Sequence, residues 1–300
     1  MDSRTGSLWR LIVDSASGAF VNMAVDEAVL MHCIQGNSAP TLRFYEWEKP
    51  SISIGYAMNA EADVSLPLCR ERDVPVVRRI TGGGLVFHKC DITYTVVFPE
   101  NFGPGGSGKR LSVLESYRLV NRALAKGLKE LGILTSLLER DESTSGSRRQ
   151  AGNICFNTPT VYDIIYDGRK LAGSAQRRKK GWVLHQGSML FSTDFVTMCP
   201  LALPPRSTNQ ESAGTPARGH EPAADDSMAR TAICLEEILG ERPARDHIVT
   251  VLSENFARAL GIKLEQASLT NSEVRMAQRL RSEKYSTDDW NLKRSVKASA

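Results

Sequence analysis

Residues 78–88, with the sequence RRITGGGLVFH, form the segment of this chain best suited to binding chemistry. Three consecutive glycines, Gly82, Gly83 and Gly84, follow Arg79 and precede His88. Without side chains at three successive positions, the backbone can lie directly against a ligand and offer it N–H groups. A glycine-rich hairpin turn is the plainer interpretation. The flanking arginine and histidine favour a binding site.

Cys155 is a candidate nucleophile, because it lies in a loop-like stretch, AGNICFNTP, with turn-forming residues on both sides. A cysteine thiol is a good nucleophile near neutral pH, especially toward thioesters. The alternative is a half-buried structural cysteine, which is the commoner role for this residue type. The other five cysteines lie in segments that read as helix or strand, or beside proline.

Lys170 is the third candidate, and its position follows from a predicted β-hairpin over residues 161–175. Asp167 and Gly168 between two apolar runs favour a type I′ turn, so Lys170 begins the return strand. An ammonium on a rigid strand near a glycine loop could hold a carbonyl or carboxylate oxygen. Taken alone, Lys170 is better interpreted as an ordinary exposed lysine at a strand end.

Two histidines and a basic run complete the set of candidates. His88 and His185 are by residue type more often packing or hydrogen-bonding residues than bases. The basic run at 177–180, RRKK, is either a solvated loop or a surface that docks an acidic carrier protein.

Alternating strand and helix patterns surround these candidates. Asn22 is the predicted cap of a helix reaching about His32, and Ser112 with Glu115 forms a predicted capping box for a helix that ends at Gly132. The other predicted elements are strands at 42–46, 51–55 and 92–98 and helices near 231–239, 246–260 and 271–285.

Composition limits the classes of function. The chain has 300 residues, 41% apolar and 24% charged, which is typical of a globular protein. A net charge of +4 is too small to indicate nucleic-acid binding, and no aromatic-interleaved basic stripe accompanies it. No apolar run is long enough to span a membrane, and the N-terminus has no apolar signal core, so we expect a cytoplasmic protein.

The six cysteines include no Cys-x-x-Cys pair, so no zinc or other metal site is expected. Residues 204–229 are polar and rich in proline and charge, which predicts a disordered insertion. The remainder is interpreted as one domain over residues 8–294.

Three segments together carry a family resemblance: RRITGGGLVFH at 78–88, GRKLAGSAQRRKKG at 168–181 and LHQGSMLF at 184–191. They resemble the biotin/lipoate protein ligase catalytic domain superfamily. NMAVDEA at 22–28, SISIGY at 51–56 and EKYSTDDWNLKR at 283–294 bring the chain closer to its cysteine-dependent octanoyltransferase branch, the LipM type. The resemblance covers about residues 8–195 and 230–294.

The resemblance implies an α+β fold, with a mixed β-sheet flanked by helices. It implies that octanoyl moves from octanoyl-acyl carrier protein to Cys155, and then to a lysine of a lipoyl domain such as glycine-cleavage H protein or a 2-oxoacid dehydrogenase E2. Lys170 would hold the acyl carbonyl. The implied acyl-binding residues are Arg79, Gly82, Gly83, Gly84, His88, Gly173 and Ser174. No cofactor is implied, because thioester exchange needs no ATP.

Three alternatives use the same scaffold. An ATP-dependent lipoate–protein ligase would activate free lipoate as an acyl-adenylate, and it has no need of a thiol at Cys155. An amidotransferase that moves octanoyl between lipoyl domains would share the cysteine chemistry. A nonenzymatic binding protein is disfavoured by the joint presence of Cys155, Lys170 and the glycine run.

Overall fold

The computed structural model describes residues 7–103, 108–138, 162–203 and 230–294. These ranges form an eight-stranded sheet, a three-stranded sheet and the helices that cover them. The strands are β1 (Leu8–Val13), β2 (Thr41–Tyr45), β3 (Ser51–Ile54), β4 (Val76–Arg78), β5 (Val86–His88), β6 (Asp91–Pro99), β7 (Ser136–Leu137), β8 (Ile164–Tyr166), β9 (Arg169–Lys179), β10 (Trp182–Leu190) and β11 (Lys263–Gln266).

The helices follow the predicted pattern closely. They are α1 (Ala19–Ile34), α2 (Ala60–Asp63), α3 (Leu66–Glu71), α4 (Val113–Glu130), α5 (Leu235–Leu239), α6 (Arg245–Leu260), α7 (Asn271–Leu280) and α8 (Asp288–Asn291), with a 3₁₀ segment over Thr193–Leu201 and a π-helical turn over Arg281–Tyr285.

The large sheet is mixed, in the order β11-β1-β2-β6-β10-β9-β8-β7, with β11, β1 and β2 parallel and the remaining pairs antiparallel. Side chains alternate between its two faces. Tyr94 and Val96 of β6 pack in the core with α4 and α6, whereas Val97 packs in the core with α1. Helices therefore cover both faces, which confirms the predicted α+β class.

The small sheet has the order β4-β3-β5, so the strands before and after the glycine run do not pair with each other. The glycine loop (residues 82–84) instead crosses the end of β3, and this excludes the simple hairpin interpretation. Contact is close: a Cβ atom on Gly55, just after β3, would lie 1.9 Å from the carbonyl oxygen of Gly83. Gly83 itself has φ of +88°, a conformation that favours glycine.

Two local predictions are confirmed and one is wrong. Ser112 and Glu115 form the capping box of α4, and Asp167 and Gly168 both have positive φ in the tight turn between β8 and β9. Asn22 does not cap α1, which begins at Ala19. Its buried side chain lies inside the helix and donates to two carbonyl oxygens outside it.

Some predictions fall outside the described residues, namely the placement of Cys155 and the insertion at 204–229. The assignment of 8–294 as one domain stays a prediction. Within the described ranges, no helix combines the length and the apolar character needed to cross a bilayer.

Candidate active site

A narrow cleft separates the glycine loop and small sheet from strands β9 and β10 of the large sheet. Of the residues predicted from the sequence, Arg79, His88, Gly173 and Ser174 line it. It therefore has two walls: the loop wall, made by β3, the glycine loop and β5, and the strand wall, made by the cleft-facing residues of β9 and β10.

Arg79 organises the loop wall. Its Nη2 donates to the carbonyl oxygens of Gly82 and Gly84, at 2.8 and 2.7 Å. Its Nη1 donates to the backbone oxygen and the hydroxyl of Ser53, at 2.9 and 2.8 Å. With the carbonyls turned toward Arg79, no protein acceptor in the described part of the chain meets the amides of Gly82, Gly83 and Gly84. These amides are available to a ligand oxygen.

Ser53, His88 and Asp91 form a hydrogen-bonded chain behind Arg79. Ser53 Oγ lies 2.7 Å from His88 Nε2, and His88 Nδ1 lies 2.8 Å from Asp91 Oδ2. The imidazole ring stacks on Trp47, with centroids 3.8 Å apart. The chain fixes the orientation of His88 and holds the Ser53 hydroxyl against Arg79.

Asp91 is ionised in this network. Burial alone would raise its pKa, but its electrostatic interaction with His88 and hydrogen bonds from His88, Thr93 and Ser188 outweigh burial, so the pKa lies below its usual value. An ionised carboxylate can only accept, so His88 Nδ1 carries the proton that joins the two groups.

The strand wall is built around Lys170. This side chain is fully buried, and its Nζ lies 2.6 Å from Asp163 Oδ2, which is also buried. A Cβ atom on Gly173 would lie 2.6 Å from Lys170 Cε and 2.8 Å from Nζ. Glycine is therefore required at 173 to make room for the lysine, and the cleft surface at that position has an ammonium group directly against it.

A buried polar network forms the base of the cleft on the face covered by α1. Asp26 of α1 accepts hydrogen bonds from Arg43, Tyr45, Thr95 and Gln186. Gln186 lines the cleft and also accepts from the Thr81 hydroxyl, at 2.7 Å. The network joins the helix, the large sheet and the start of the glycine loop, and so fixes their spacing.

The C-terminal motif, residues 283–294, contacts Arg78, which lies in the strand before the glycine loop. Arg78 is fully buried and donates to the carbonyl oxygens of Met58, Tyr56 and Trp290, among others. The Trp290 indole donates back to the carbonyl oxygen of Arg78, at 2.9 Å. Arg78 thus stabilises the fold, whereas its neighbour Arg79 lines the cleft and holds the glycine loop.

The five cysteines within the described residues are buried and free. Burial raises the pKa of Cys33 to about 12 and that of Cys69 to about 11, and it also raises the pKa of Cys90 and Cys234. Such thiols carry almost no thiolate near neutral pH, so they are poor nucleophiles.

His185 has a packing role, as its residue type suggested. It lies on the opposite face of the sheet from the cleft, where Gln176 bonds its Nδ1 and Tyr94 and Tyr117 contact its ring. Burial lowers its pKa to about 3, so it is neutral at physiological pH. Its Nε2 has no hydrogen-bond partner among the described residues.

Sequence reasoning missed Asp163, Ser53 and Asp91. Asp163 had a detectable signal, because a carboxylate inside the apolar run VYDIIY is costly unless it is paired. Ser53 and Asp91 have no such signal in the sequence, because a serine in a strand and an aspartate after a turn are ordinary residues at those positions.

An ammonium behind a glycine position, opposite a loop with available backbone amides, is an arrangement that can hold an acyl carbonyl. The lipoyl protein ligase A/B catalytic domain model matches residues 18–257. The chain belongs to this family, as the resemblance of its motifs predicted, and it is an acyltransferase.

Two curated relatives align with this chain over nearly the whole length of both proteins. The octanoyltransferase LipM of Kyrpidia tusciae is 36% identical over 95% of this chain and 99% of its own. The octanoyltransferase LipM of Symbiobacterium thermophilum is 36% identical over 95% of this chain and 98% of its own.

A solved structure shares the fold. The bi-partite lipoate protein ligase of Thermoplasma acidophilum is 22% identical, has a TM-score of 0.73, and is matched over 98% of this chain and 100% of its own. At this identity the likeness concerns the fold alone.

Proposed function

We propose that this protein transfers octanoyl from octanoyl-acyl carrier protein, through a thioester on Cys155, to a lysine of a lipoyl domain. The buried Lys170 ammonium beside Gly173 carries this proposal, because it supplies positive charge where an acyl carbonyl would lie. Relatives named octanoyltransferase LipM, matched along nearly their whole length, support octanoyl as the acyl group.

Lys170 acts in this proposal as an electrostatic group and not as a base. Asp163, at 2.6 Å, favours the charged ammonium. A charged donor strengthens its hydrogen bond to the carbonyl oxygen as negative charge develops on that oxygen. The amides of the glycine loop stand on the other wall and could share this charge.

Cys155 is proposed as the nucleophile because it precedes the Lys170 strand in a stretch whose sequence predicts a loop, and because burial raises the pKa of four of the five described cysteines. Its thiolate attacks the octanoyl carbonyl, the bond to the carrier sulfur breaks, and the carrier thiol leaves with a proton. The neutral amine of the acceptor lysine then attacks the thioester, the C–N bond forms as the C–S bond to Cys155 breaks, and a proton released by the amine regenerates the Cys155 thiol. Neither step consumes ATP.

The acyl site in this proposal includes Arg79, Gly82, Gly83, Gly84, His88, Gly173 and Ser174. Arg79 and His88 shape the loop, Gly173 exposes the lysine, and Ser174 is held by Asn121 of α4 at 3.3 Å. The proposal also places the protein in the cytoplasm, where its donor and acceptor would be found.

The main rival remains an ATP-dependent lipoate–protein ligase. The fold is shared with such a ligase, and fold does not determine chemistry. An octanoyl amidotransferase between lipoyl domains is the second rival, and it differs only in the donor.

One experiment separates the three functions. A purified lipoyl domain is incubated with the enzyme and either octanoyl-acyl carrier protein, octanoylated H protein, or free octanoate with ATP, and the acceptor mass is measured. We expect the octanoyl mass increment with the carrier-protein donor alone. An increment only with octanoate and ATP contradicts the proposal in favour of the ligase, and one only with octanoylated H protein identifies an amidotransferase.

A further inference from the structure

Four cationic side chains lie near one another beside Tyr56, and two of them contact its ring. They belong to the second half of β9 and to the C-terminal segment, and are referred to below as the mouth cluster: Arg177, Lys179, Lys284 and Arg294. The guanidinium carbons of Arg177 and Arg294 each lie 5.5 Å from the centroid of the Tyr56 ring. Lys284 Nζ lies 4.0 Å from the ring of Trp290, which itself contacts Tyr56.

The mouth cluster is continuous with the cleft. Ala175 lines the cleft, and Arg177 and Lys179 follow it on the same face of β9 because side chains two apart share a face. Tyr56 donates its backbone N–H to the carbonyl oxygen of Thr81, immediately before the glycine loop, at 2.8 Å. An acyl group entering the cleft at this end would pass the four cations.

Alternation along β9 divides the basic run RRKK into two roles. Arg178 points to the other face, where it donates to the carbonyl oxygens of Leu111 and Ser112 and to the hydroxyl of Ser116. It therefore anchors the start of α4. Within the described ranges, Arg177 and Lys179 donate no hydrogen bond to a backbone carbonyl oxygen: Arg177 contacts the Tyr56 ring, and Lys179 approaches the sulfur of Met31 at 3.4 Å.

The mouth cluster has more positive than negative charge. Lys284 is paired with Glu27 at 2.6 Å. In the part of the chain that the structure describes, no carboxylate lies within 4.0 Å of Arg177, Lys179 or Arg294. Like charges held together are unfavourable, and an anion bound among them would relieve that repulsion.

The cations of the mouth cluster also lower the pKa of neighbouring basic groups. Burial lowers the pKa of Lys284, and Lys179 and Arg177 lower it further, although Glu27 opposes them. Burial likewise lowers the pKa of Arg78, and Arg294 adds to that effect. Lys179 and Arg177 therefore lie near Lys284, and Arg294 shares the Tyr56 ring with Arg177.

We propose that the mouth cluster docks the acyl donor, by binding the phosphodiester of the arm that carries the thioester and the acidic surface of its carrier protein. This inference rests on the proposed function. Two guanidinium groups on one aromatic ring suit a phosphate, which arginine binds in a bidentate manner. The lipoyl acceptor has no fixed phosphate, and its reacting lysine is cationic until it loses a proton, so the donor is the better match.

The test compares a charged protein donor with a small neutral one. Arg177→Glu and Arg294→Glu are assayed for acyl-enzyme formation with octanoyl-acyl carrier protein and with octanoyl-N-acetylcysteamine, which has no phosphate and no protein surface. Lys129→Glu on α4, an exposed residue beyond the opposite face of the large sheet, is the matched charge-reversal control. Direct binding of the carrier protein to each variant is measured in parallel.

We expect each reversal at the mouth cluster to raise KM for the carrier donor about tenfold or more, with kcat little changed and the salt dependence of KM reduced. The neutral thioester should react at the wild-type rate, and Lys129→Glu should resemble wild type with both donors. Carrier binding should weaken in parallel with KM.

Three results would overturn the docking proposal. The first is an unchanged KM for the carrier donor. The second is an equal loss with the neutral thioester, because the substitution would then act on the geometry of the cleft. The third is normal acyl-enzyme formation with a loss only in transfer to the lipoyl domain, which would assign the cluster to the acceptor. If wild-type protein binds the carrier through the cluster but takes no acyl group from it, the proposed function fails and the docking surface stands.

Discussion

The two walls of the cleft are built in different ways. On the strand wall, a buried ammonium, Lys170, meets the carboxylate of Asp163, and Gly173 leaves the space in which it lies. On the loop wall, Arg79, Ser53, His88 and Asp91 form a connected series of hydrogen bonds, with several donors on one carboxylate. The strand wall thus depends on one buried charge in a space left by a glycine. The loop wall depends on many hydrogen bonds that together fix the position of the loop.

This difference predicts unequal sensitivity to substitution. In the proposed mechanism the Lys170 charge acts on the reacting oxygen and cannot be replaced by its neighbours, so changes on the strand wall should be severe. A network that shapes a loop can lose one bond and retain the others, so changes on the loop wall should be graded.

The largest effect is expected for Lys170→Ala. Octanoyl transfer should fall on the order of a hundredfold or more, because the donor that meets the developing oxyanion is removed. The substitution also leaves Asp163 buried without this cation, which destabilises a protein by about 3–5 kcal/mol. Transfer rate and thermal unfolding are therefore measured together.

A double variant separates these two effects. Lys170→Ala with Asp163→Ala removes the uncompensated carboxylate and should recover much of the lost stability without recovering activity. Restored transfer in the double variant would show that Lys170 is needed only for folding. Lys170→Arg should also remain impaired, because the planar guanidinium has a different shape.

Gly173→Ala should give the next largest effect. The added methyl group would lie 2.6 Å from Lys170 Cε, so the lysine must move. Displacing a positioned catalytic group by about 1 Å costs up to about a hundredfold in rate, and we expect a loss of roughly tenfold or more in kcat. Gly18→Ala, where the nearest atom is 3.7 Å away, is the matched control. Equal activity for both variants would mean that Lys170 tolerates displacement.

Ser53→Ala tests the loop wall and should be milder. Arg79 keeps its bonds to Gly82, Gly84 and the Ser53 backbone oxygen, so we expect a loss of about threefold to tenfold, within the range of one hydrogen bond. Acyl-enzyme mass and kcat against KM are measured with a small octanoyl thioester. Complete loss of the acyl-enzyme would contradict the graded sensitivity expected of the loop wall.

His185→Phe should change stability and not transfer, because His185 lies behind the sheet and outside both walls. Its folded pKa, about 3, is below the ordinary value of 6.5. As pH falls below 6.5 the unfolded chain binds a proton that the folded protein does not, so stability falls, by about 2 kcal/mol at pH 5. The phenylalanine variant should lose less stability between pH 7 and pH 5. Parallel pH profiles of unfolding for the two proteins would contradict this assignment.

Much of the framework could be predicted from local sequence. The capping box at Ser112 and the Asp167-Gly168 turn are short-range signals, and both are confirmed. The prediction for Asn22 was wrong because the sequence does not distinguish a helix cap from a buried asparagine inside a helix. The partners of Asn22, the carbonyl oxygens of Ser17 and Glu46, are known only from the structure.

The site was predictable only in part, for a physical reason. Arg79, His88 and Gly173 belong to motifs that are distinctive in themselves, whereas Asp163 and Ser53 gain meaning from partners in other strands. The path of the glycine loop across the end of β3, for example, depends on the strand order β4-β3-β5, which no short sequence pattern indicates.

The most direct test of the account is intact mass analysis of wild-type protein and Cys155→Ala after brief exposure to octanoyl-acyl carrier protein without ATP or acceptor. The account predicts one octanoyl increment on wild type, removable by hydroxylamine and located at Cys155 by peptide mapping, and none on the variant. The same increment on Cys155→Ala, or transfer by that variant at the wild-type rate, would contradict the covalent mechanism.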